Sequence, residues 1–186
     1  IYSSDQGFYI GGHGWYDKRW MYEESLKMPF IAKWPGVIKP GSRNQDLIQN
    51  LDYASTFLDI AGASIPDDLQ GASLVPLMKG EVPADWRKSI YYHYYEYPSV
   101  HMVPKHFGIR TERFKLMKFY EFGEEWEFYD LESDPDENTN QYNNPEYAAQ
   151  IADVKNQLAE LQKHYADDSI APPKPKAWQD EFRQDK

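Results

Sequence analysis

Four strand-like runs follow one another so closely that no helix fits between them. Residues 89 to 96, 107 to 111, 113 to 120 and 125 to 131 are short, aromatic and β-branched segments with turns between them. Connections of this length exclude crossover helices, so the runs predict a small antiparallel sheet rather than βαβ units. From residue 146 to about 166, Tyr147, Ile151, Val154, Leu158, Leu161 and Tyr165 recur at helical spacing. An amphipathic helix lying across the sheet is expected there, and the second half reads as α+β.

The first half is patterned differently. Residues 1 to 4 look like the tail of a strand that begins earlier, which suggests an N-terminal truncation. Asp5-Gln6-Gly7 then makes a turn, and Gly11-Gly12-His13-Gly14 a glycine-rich loop that permits close backbone approach. Residues 22 to 26 suit a short helical turn, and 30 to 34 a short buried strand ended by Pro35-Gly36. Residues 52 to 62 have an acidic start, apolar spacing of three and four, and a closing glycine, which predicts a helix. A proline-spotted stretch follows at 70 to 77. The change of pattern near residue 86 divides the chain into 1–85, 86–166 and an extended tail over 167–186 marked by Pro172-Pro173 and Pro175.

Composition narrows the classes of partner. A formal net charge of −10 opposes non-specific affinity for nucleic acid or an anionic membrane, so an anionic substrate needs a local basic pocket. With no cysteine the chain holds no disulfide, no zinc–thiolate site and no thiol nucleophile. Neither end shows a signal peptide, and no apolar run approaches the ~20 residues that span a bilayer, so no membrane insertion is expected. The 15 Tyr, 9 Phe and 6 Trp supply both buried area and stacking platforms for sugar or aryl rings.

The sharpest constellation is Ser4-Asp5-Gln6-Gly7 at a strand end, with His13 and Lys18 close behind. A carboxylate beside an amide carbonyl offers two hard oxygen ligands, suited to Ca²⁺ or Mg²⁺ rather than Zn²⁺, and further ligands would have to come from elsewhere. Taken singly, Asp5 fits an Asx turn, His13 a loop hydrogen-bonder and Lys18 a solvated charge. Together, a metal half-site, a glycine-rich loop, an imidazole and an ammonium can form a pocket for a tetrahedral oxyanion.

These residues carry a family resemblance. Ser4-Asp5-Gln6-Gly7, Gly12-His13-Gly14, Lys18, Tyr22-Glu23-Glu24-Ser25, Met28-Pro29 and Trp34-Pro35-Gly36 resemble the sulfatase pattern, in order. So do the Asp52-Tyr53 helix, Gln70-Gly71-Ala72-Ser73-Leu74, Gly108-Ile109-Arg110-Thr111, and Phe128-Tyr129-Asp130-Leu131 leading to Asp134-Pro135. The resemblance extends to about residue 166 and implies an alkaline-phosphatase-like α/β fragment, followed by an α+β subdomain with a small antiparallel sheet and a packed helix. It further implies that Asp5 and Gln6 ligate Ca²⁺, that Lys18 contacts the sulfate ester, and that His13 sits beside the leaving group or the sulfate. Gly12 departs from the pattern, which usually has an acidic residue before His-Gly. The Cys/Ser-x-Pro-x-Arg motif matured to formylglycine has no counterpart here, so the chain alone is expected to be inactive.

The run Tyr91 to Tyr97, with His101, Lys105 and His106 after it, is similar to bacterial sulfatases acting on sulfated glycans, with 6-O-sulfated N-acetylglucosamine as the implied substrate. His101, Lys105 and His106 are the candidate substrate-binding residues of an exposed loop, and the tyrosines equally fit simple packing of the sheet. The acidic run Glu132, Asp134, Asp136, Glu137 lacks the EF-hand glycine and closing glutamate and reads as a solvated turn. The implied parent cleaves a sulfated carbohydrate or aryl sulfate in the periplasm or outside the cell. Two alternatives stand beside it: a phosphodiesterase or phosphonate hydrolase of the same superfamily, and a non-catalytic glycan-binding or interaction module. Apolar faces left open on such a fragment would invite self-association.

Overall fold

The computed structural model describes residues 1–168. Three two-residue strands, β1 (Tyr2–Ser3), β2 (Tyr9–Ile10) and β3 (Tyr16–Asp17), precede the one-turn helix α1 (Glu23–Leu26) and strand β4 (Phe30–Ile31). Strand β1 pairs antiparallel with β4, and β2 with β3. Helices α2 (Asp52–Ile60) and α3 (Val75–Lys79) follow. Then β5 (Ser89–Tyr94), β6 (His106–Thr111), β7 (Phe114–Phe119) and β8 (Glu125–Asp130) form a meander in sequential order, and α4 (Ala148–His164) crosses it.

Period-two alternation gives this sheet two buried faces. Phe107, Ile109, Leu116 and Phe128 point to one side and meet Ile151, Val154 and Leu158 of α4. Ile109, Leu116 and Phe128 have no exposed surface, and burial of each stabilises by about 1.5–3 kcal/mol. Met117, Phe119 and Tyr129 point to the other side and meet Tyr9, Met21 and Tyr22 from the first part of the chain. Gly108 is required at this contact, because a Cβ there would lie 2.3 Å from the Leu116 carbonyl and 2.7 Å from Met21 Sδ. The end of α4 is fastened by His93, whose Nδ1 lies 2.5 Å from Asp167 and whose Nε2 lies 2.7 Å from the Tyr120 hydroxyl.

Several expectations need adjustment. The buried strand expected over 30 to 34 is only Phe30–Ile31, since its partner β1 offers just Tyr2 and Ser3 to pair with, and Ile31 is exposed. The proline-spotted stretch, expected as a connection, contains helix α3: Pro76 suits its first turn, where no N–H partner exists, and Gly80 closes it at φ 83°. The acidic run is not wholly solvated, because Glu137 is 2% exposed and its carboxylate lies 2.7 Å from the buried Lys115 ammonium. Of the tail expected over 167–186, everything beyond Asp168 lies outside the described residues.

Candidate active site

Asp5 sits in the turn after β1, and its exposed carboxylate is ion-paired with the Lys18 ammonium. That hydrogen bond holds the Asp5 carboxyl below the usual carboxylate range. Asn50 Nδ2 donates to the Asp5 carbonyl at 3.2 Å, and Ser4 Oγ donates to the Gln6 carbonyl at 2.6 Å, which fixes the turn locally. Asp5, Gln6, Asn50, Tyr92 and Arg110 line one cavity of about 250 Å³.

Helix α1 holds both arms of this pair. The Gly7 N–H donates to the Ser25 carbonyl at 2.7 Å, and Ser25 Oγ donates to the Lys18 carbonyl at 2.9 Å. Only glycine fits at position 7, where a Cβ would lie 2.0 Å from the Glu24 carbonyl oxygen. Helix α1 is itself anchored to the sheet: the Glu23 N–H donates to Glu137 at 2.6 Å, and the Glu23 carboxylate meets Lys115 at 2.9 Å and Arg110 at 3.2 Å. Burial pushes the Glu23 carboxyl up, but the Lys115 and Arg110 charges prevail and bring it to about 2. Glu137, more weakly compensated, is raised by burial.

His13 lies in a tight turn over Gly12–Gly14 with φ 55°, an unusual conformation for a residue with a Cβ. Its ring stacks on Tyr22 at 4.5 Å between centroids, and its Nε2 lies 3.7 Å from Glu24 Oε1. The Glu24 oxygen occupies the space a side chain at position 12 would need, since a Cβ there would come within 2.5 Å of it. Glu24 thus brings a carboxylate from α1 to the histidine where the family pattern carries an acid one residue earlier.

Two residues absent from the sequence-based set complete the site. Asp17 and Arg19 flank Lys18 and meet His101, which the 95–105 connection folds back onto them: Asp17 Oδ2 lies 2.9 Å from His101 Nδ1, and an Arg19 guanidinium nitrogen lies 2.9 Å from Nε2. A guanidinium only donates, so Nε2 is the acceptor and the ring proton sits on Nδ1, facing Asp17. Arg19 also reaches Asp17 directly at 3.2 Å. The signal was the Asp17-Lys18-Arg19 run after the glycine loop, but its partner lies 82 residues away from Arg19.

The expected exposed loop does not include His106. It opens β6 with no exposed surface, packed against Trp20, Tyr92, Tyr94 and Phe119. Its Nδ1 donates to the Pro104 carbonyl at 2.8 Å, and burial pushes the imidazole down to about 4, so it stays neutral. Lys105 is also drawn in, with its ammonium 2.9 Å from Glu121 and only 12% of its side chain exposed. The structure therefore brings Asp5, Gln6, Lys18 and the Asp17–Arg19–His101 cluster into one region and sends His106 to the core.

Asp5 and Gln6 offer hard oxygen donors of the kind a divalent cation takes, and the Asp5 carboxylate is here paired with the Lys18 ammonium. Among the described residues no group of three or more His, Cys, Asp or Glu could hold a metal ion, so Asp5 and Gln6 do not by themselves make a metal site.

A family model described as N-sulphoglucosamine sulphohydrolase, C-terminal, matches residues 11–164. The chain is similar to an N-acetylglucosamine-6-O-sulfatase of Bacteroides thetaiotaomicron, 52% identical over 169 residues, which is 90% of this chain and 30% of that protein. The solved structure of BT4656 in complex with its substrate D-glucosamine-2-N,6-O-disulfate superposes with a TM-score of 0.87 at 50% identity, over 90% of this chain and 34% of that one. A phosphonate monoester hydrolase from Silicibacter pomeroyi shares the fold, with a TM-score of 0.76 at 24% identity over 91% of this chain and 35% of that one. The chain thus spans about a third of the length of these relatives. Their common architecture is the expected alkaline-phosphatase-like one, here a fragment followed by the antiparallel sheet and helix.

Proposed function

The chain belongs to the N-sulphoglucosamine sulphohydrolase C-terminal family, and on that premise we propose that it is the C-terminal part of a formylglycine-dependent sulfatase removing the 6-O-sulfate of a glucosamine-type sugar. The observation that carries this reading is the Asp5–Lys18 pair held by α1, which puts an anion-binding ammonium beside a hard-metal half-site. Asp5 and Gln6 would hold calcium, which supplies Lewis-acid polarisation of the sulfate; a formylglycine outside these 186 residues supplies the nucleophile. Lys18 binds the sulfate oxygens and offsets the charge that develops as the S–O bond breaks. Arg19, Asp17 and His101 offer donors and acceptors to sugar hydroxyls next to Lys18, and His13 would sit beside the leaving group or the sulfate.

We assign residues 1–85 to the end of the catalytic domain and 86–166 to its C-terminal subdomain. The parent is placed in the periplasm or outside the cell, where sulfated glycans are met. The exposed β1–β4 ribbon, with Tyr2 at 66% and Ile31 at 65%, makes the isolated chain prone to self-association.

The test compares hydrolysis of 6-O-sulfated N-acetylglucosamine and of 4-nitrophenyl sulfate by this chain and by the matured longer protein. Turnover by the longer protein alone supports the reading. No turnover of either ester by that protein, with maturation and metal verified, overturns it in favour of a phosphonate-directed relative or a binding module.

A further inference from the structure

A second cavity, of about 580 Å³, opens between the Trp15–Trp20 segment and the turn joining β7 to β8, and falls within the ~300–1,000 Å³ of small-ligand sites. Trp20, Tyr22 and Phe119 form its floor, Trp15 and Phe122 its rims, and Glu124, Glu125 and Glu127 one end. The floor is rigid: Trp20 packs on Phe119 at 5.6 Å and on the buried His106 at 6.0 Å. Trp15 leans on Trp20 at 4.6 Å, tilted by 32°, yet is 41% exposed, and Phe122 is 75% exposed. Surface of that kind, wide, aromatic and open to water, takes a flat apolar ligand face.

The polar end is acidic and incompletely neutralised. Glu124 has Lys118 at 2.6 Å, while the Glu125 carboxylate has no ion pair or hydrogen bond among the described residues. The Tyr22 and Tyr129 hydroxyls both donate to Glu127 Oε2 at 2.8 Å, which fixes that carboxylate with Oε1 still available. Carboxylates accept from ammonium and hydroxyl groups and repel sulfate.

We propose that this cleft binds an unsulfated amino sugar, with its pyranose face on the Trp15–Trp20 platform and its ammonium among Glu124, Glu125 and Glu127. The aromatic floor alone would accept any saccharide, and the carboxylates alone any amine; the two side by side select a sugar that carries the amine. A cation beside an indole face and the unpaired Glu125 carboxylate gains from both. The site is chemically opposite to the Lys18 region, which is built for an anion, and it stands whether or not the chain belongs to an active sulfatase.

The experiment titrates the longer protein that carries these residues with chitobiose bearing free amines, following tryptophan fluorescence and two-dimensional NMR, without any turnover readout. Di-N-acetylchitobiose, 6-O-sulfated glucosamine and tetramethylammonium are run in parallel, together with Trp15→Ala and Glu125→Gln. Free-amine chitobiose should bind more tightly than the other three, and each substitution should weaken it by roughly tenfold, the scale of a single cation–π or charge–charge interaction. Both changed side chains are exposed, so an unaltered thermal midpoint is expected and rules out unfolding. Equal affinity for the N-acetylated disaccharide, equal affinity for tetramethylammonium, or undiminished binding by Trp15→Ala overturns the proposal.

Discussion

The carboxylate of Asp52, with no exposed surface, grips the guanidinium of Arg87 through both oxygens, at 2.5 and 2.6 Å. The same carboxylate accepts the N–H of Gln49 at 2.7 Å and of Ala72 at 2.9 Å. One side chain therefore joins the start of α2, the segment before α3 and the segment before β5. Removing it leaves the guanidinium and two N–H groups without their acceptor. Asp52→Ala is expected to lower stability by about 3–5 kcal/mol, a large share of the ~5–15 kcal/mol of a typical domain. Urea unfolding measures it, and a double variant Asp52→Ala with Arg87→Leu should recover part of the loss because no charge is stranded.

Gly7 and Gly12 both lie against Glu24 and should respond differently to the same substitution. At Gly7 the obstacle is the Glu24 backbone carbonyl, 2.0 Å from a Cβ, and helix α1 cannot shift without disturbing Ser25. At Gly12 it is the Glu24 carboxylate, the far end of a flexible side chain, at 2.5 Å. Gly7→Ala is expected to displace the Asp5 turn and lower the thermal midpoint by several degrees, on the order of a 1–3 kcal/mol overpacking cost. Gly12→Ala should leave that midpoint nearly unchanged while altering the His13 chemical shifts. A larger midpoint loss at Gly12 than at Gly7 would show that the backbone carbonyl is not the harder obstacle.

Stability toward acid should depend on two carboxylates. The Arg113 hydrogen bonds hold the Asp130 carboxyl at about 2, and Glu23, despite burial, is also brought to about 2 by Lys115 and Arg110. Both are depressed in the folded chain, so their contribution is complete above the unfolded values near 4 and is lost as pH falls through about 2. Glu137, raised by burial, works the other way and gains from protonation. Urea midpoints should fall between about pH 5 and about pH 2, and Arg113→Leu should weaken that fall by returning Asp130 toward its ordinary value. An unchanged acid limb in Arg113→Leu would show that the pair does not govern it.

The sheet and α4 were legible because their information is local. Ile109, Leu116 and Phe128 each sit in a short aromatic or β-branched run bounded by turns, and Ile151, Val154 and Leu158 repeat at helical spacing, so each segment can be read without its neighbours. The site was only partly legible. Asp5 and Lys18 fall in one short window, but the Asp17–Arg19–His101 cluster needs a distant loop to fold back. Glu137 looked solvated in its acidic run, because its partner Lys115 is a charge facing inward on β7, which alternation alone does not reveal. His106 followed a loop in sequence and looked exposed; its burial depends on Trp20, a residue of the first half.

Ser25 separates the two arms of the proposed site. Its hydroxyl holds the Lys18 carbonyl, whereas its backbone carbonyl holds the Gly7 N–H and so the Asp5 turn. Ser25→Ala deletes only the first of these bonds, for a stability loss of about 1 kcal/mol. In the matured longer protein the calcium concentration giving half-maximal activity should stay the same, because Asp5 and Gln6 are still held. Turnover should fall by roughly tenfold as Lys18 loses its register, against the roughly 10²–10³-fold expected for Lys18→Ala. A Ser25→Ala protein whose calcium requirement shifts together with turnover would mean that α1 supports the two arms as one unit, and that the pairing of Asp5 with Lys18 transmits the change.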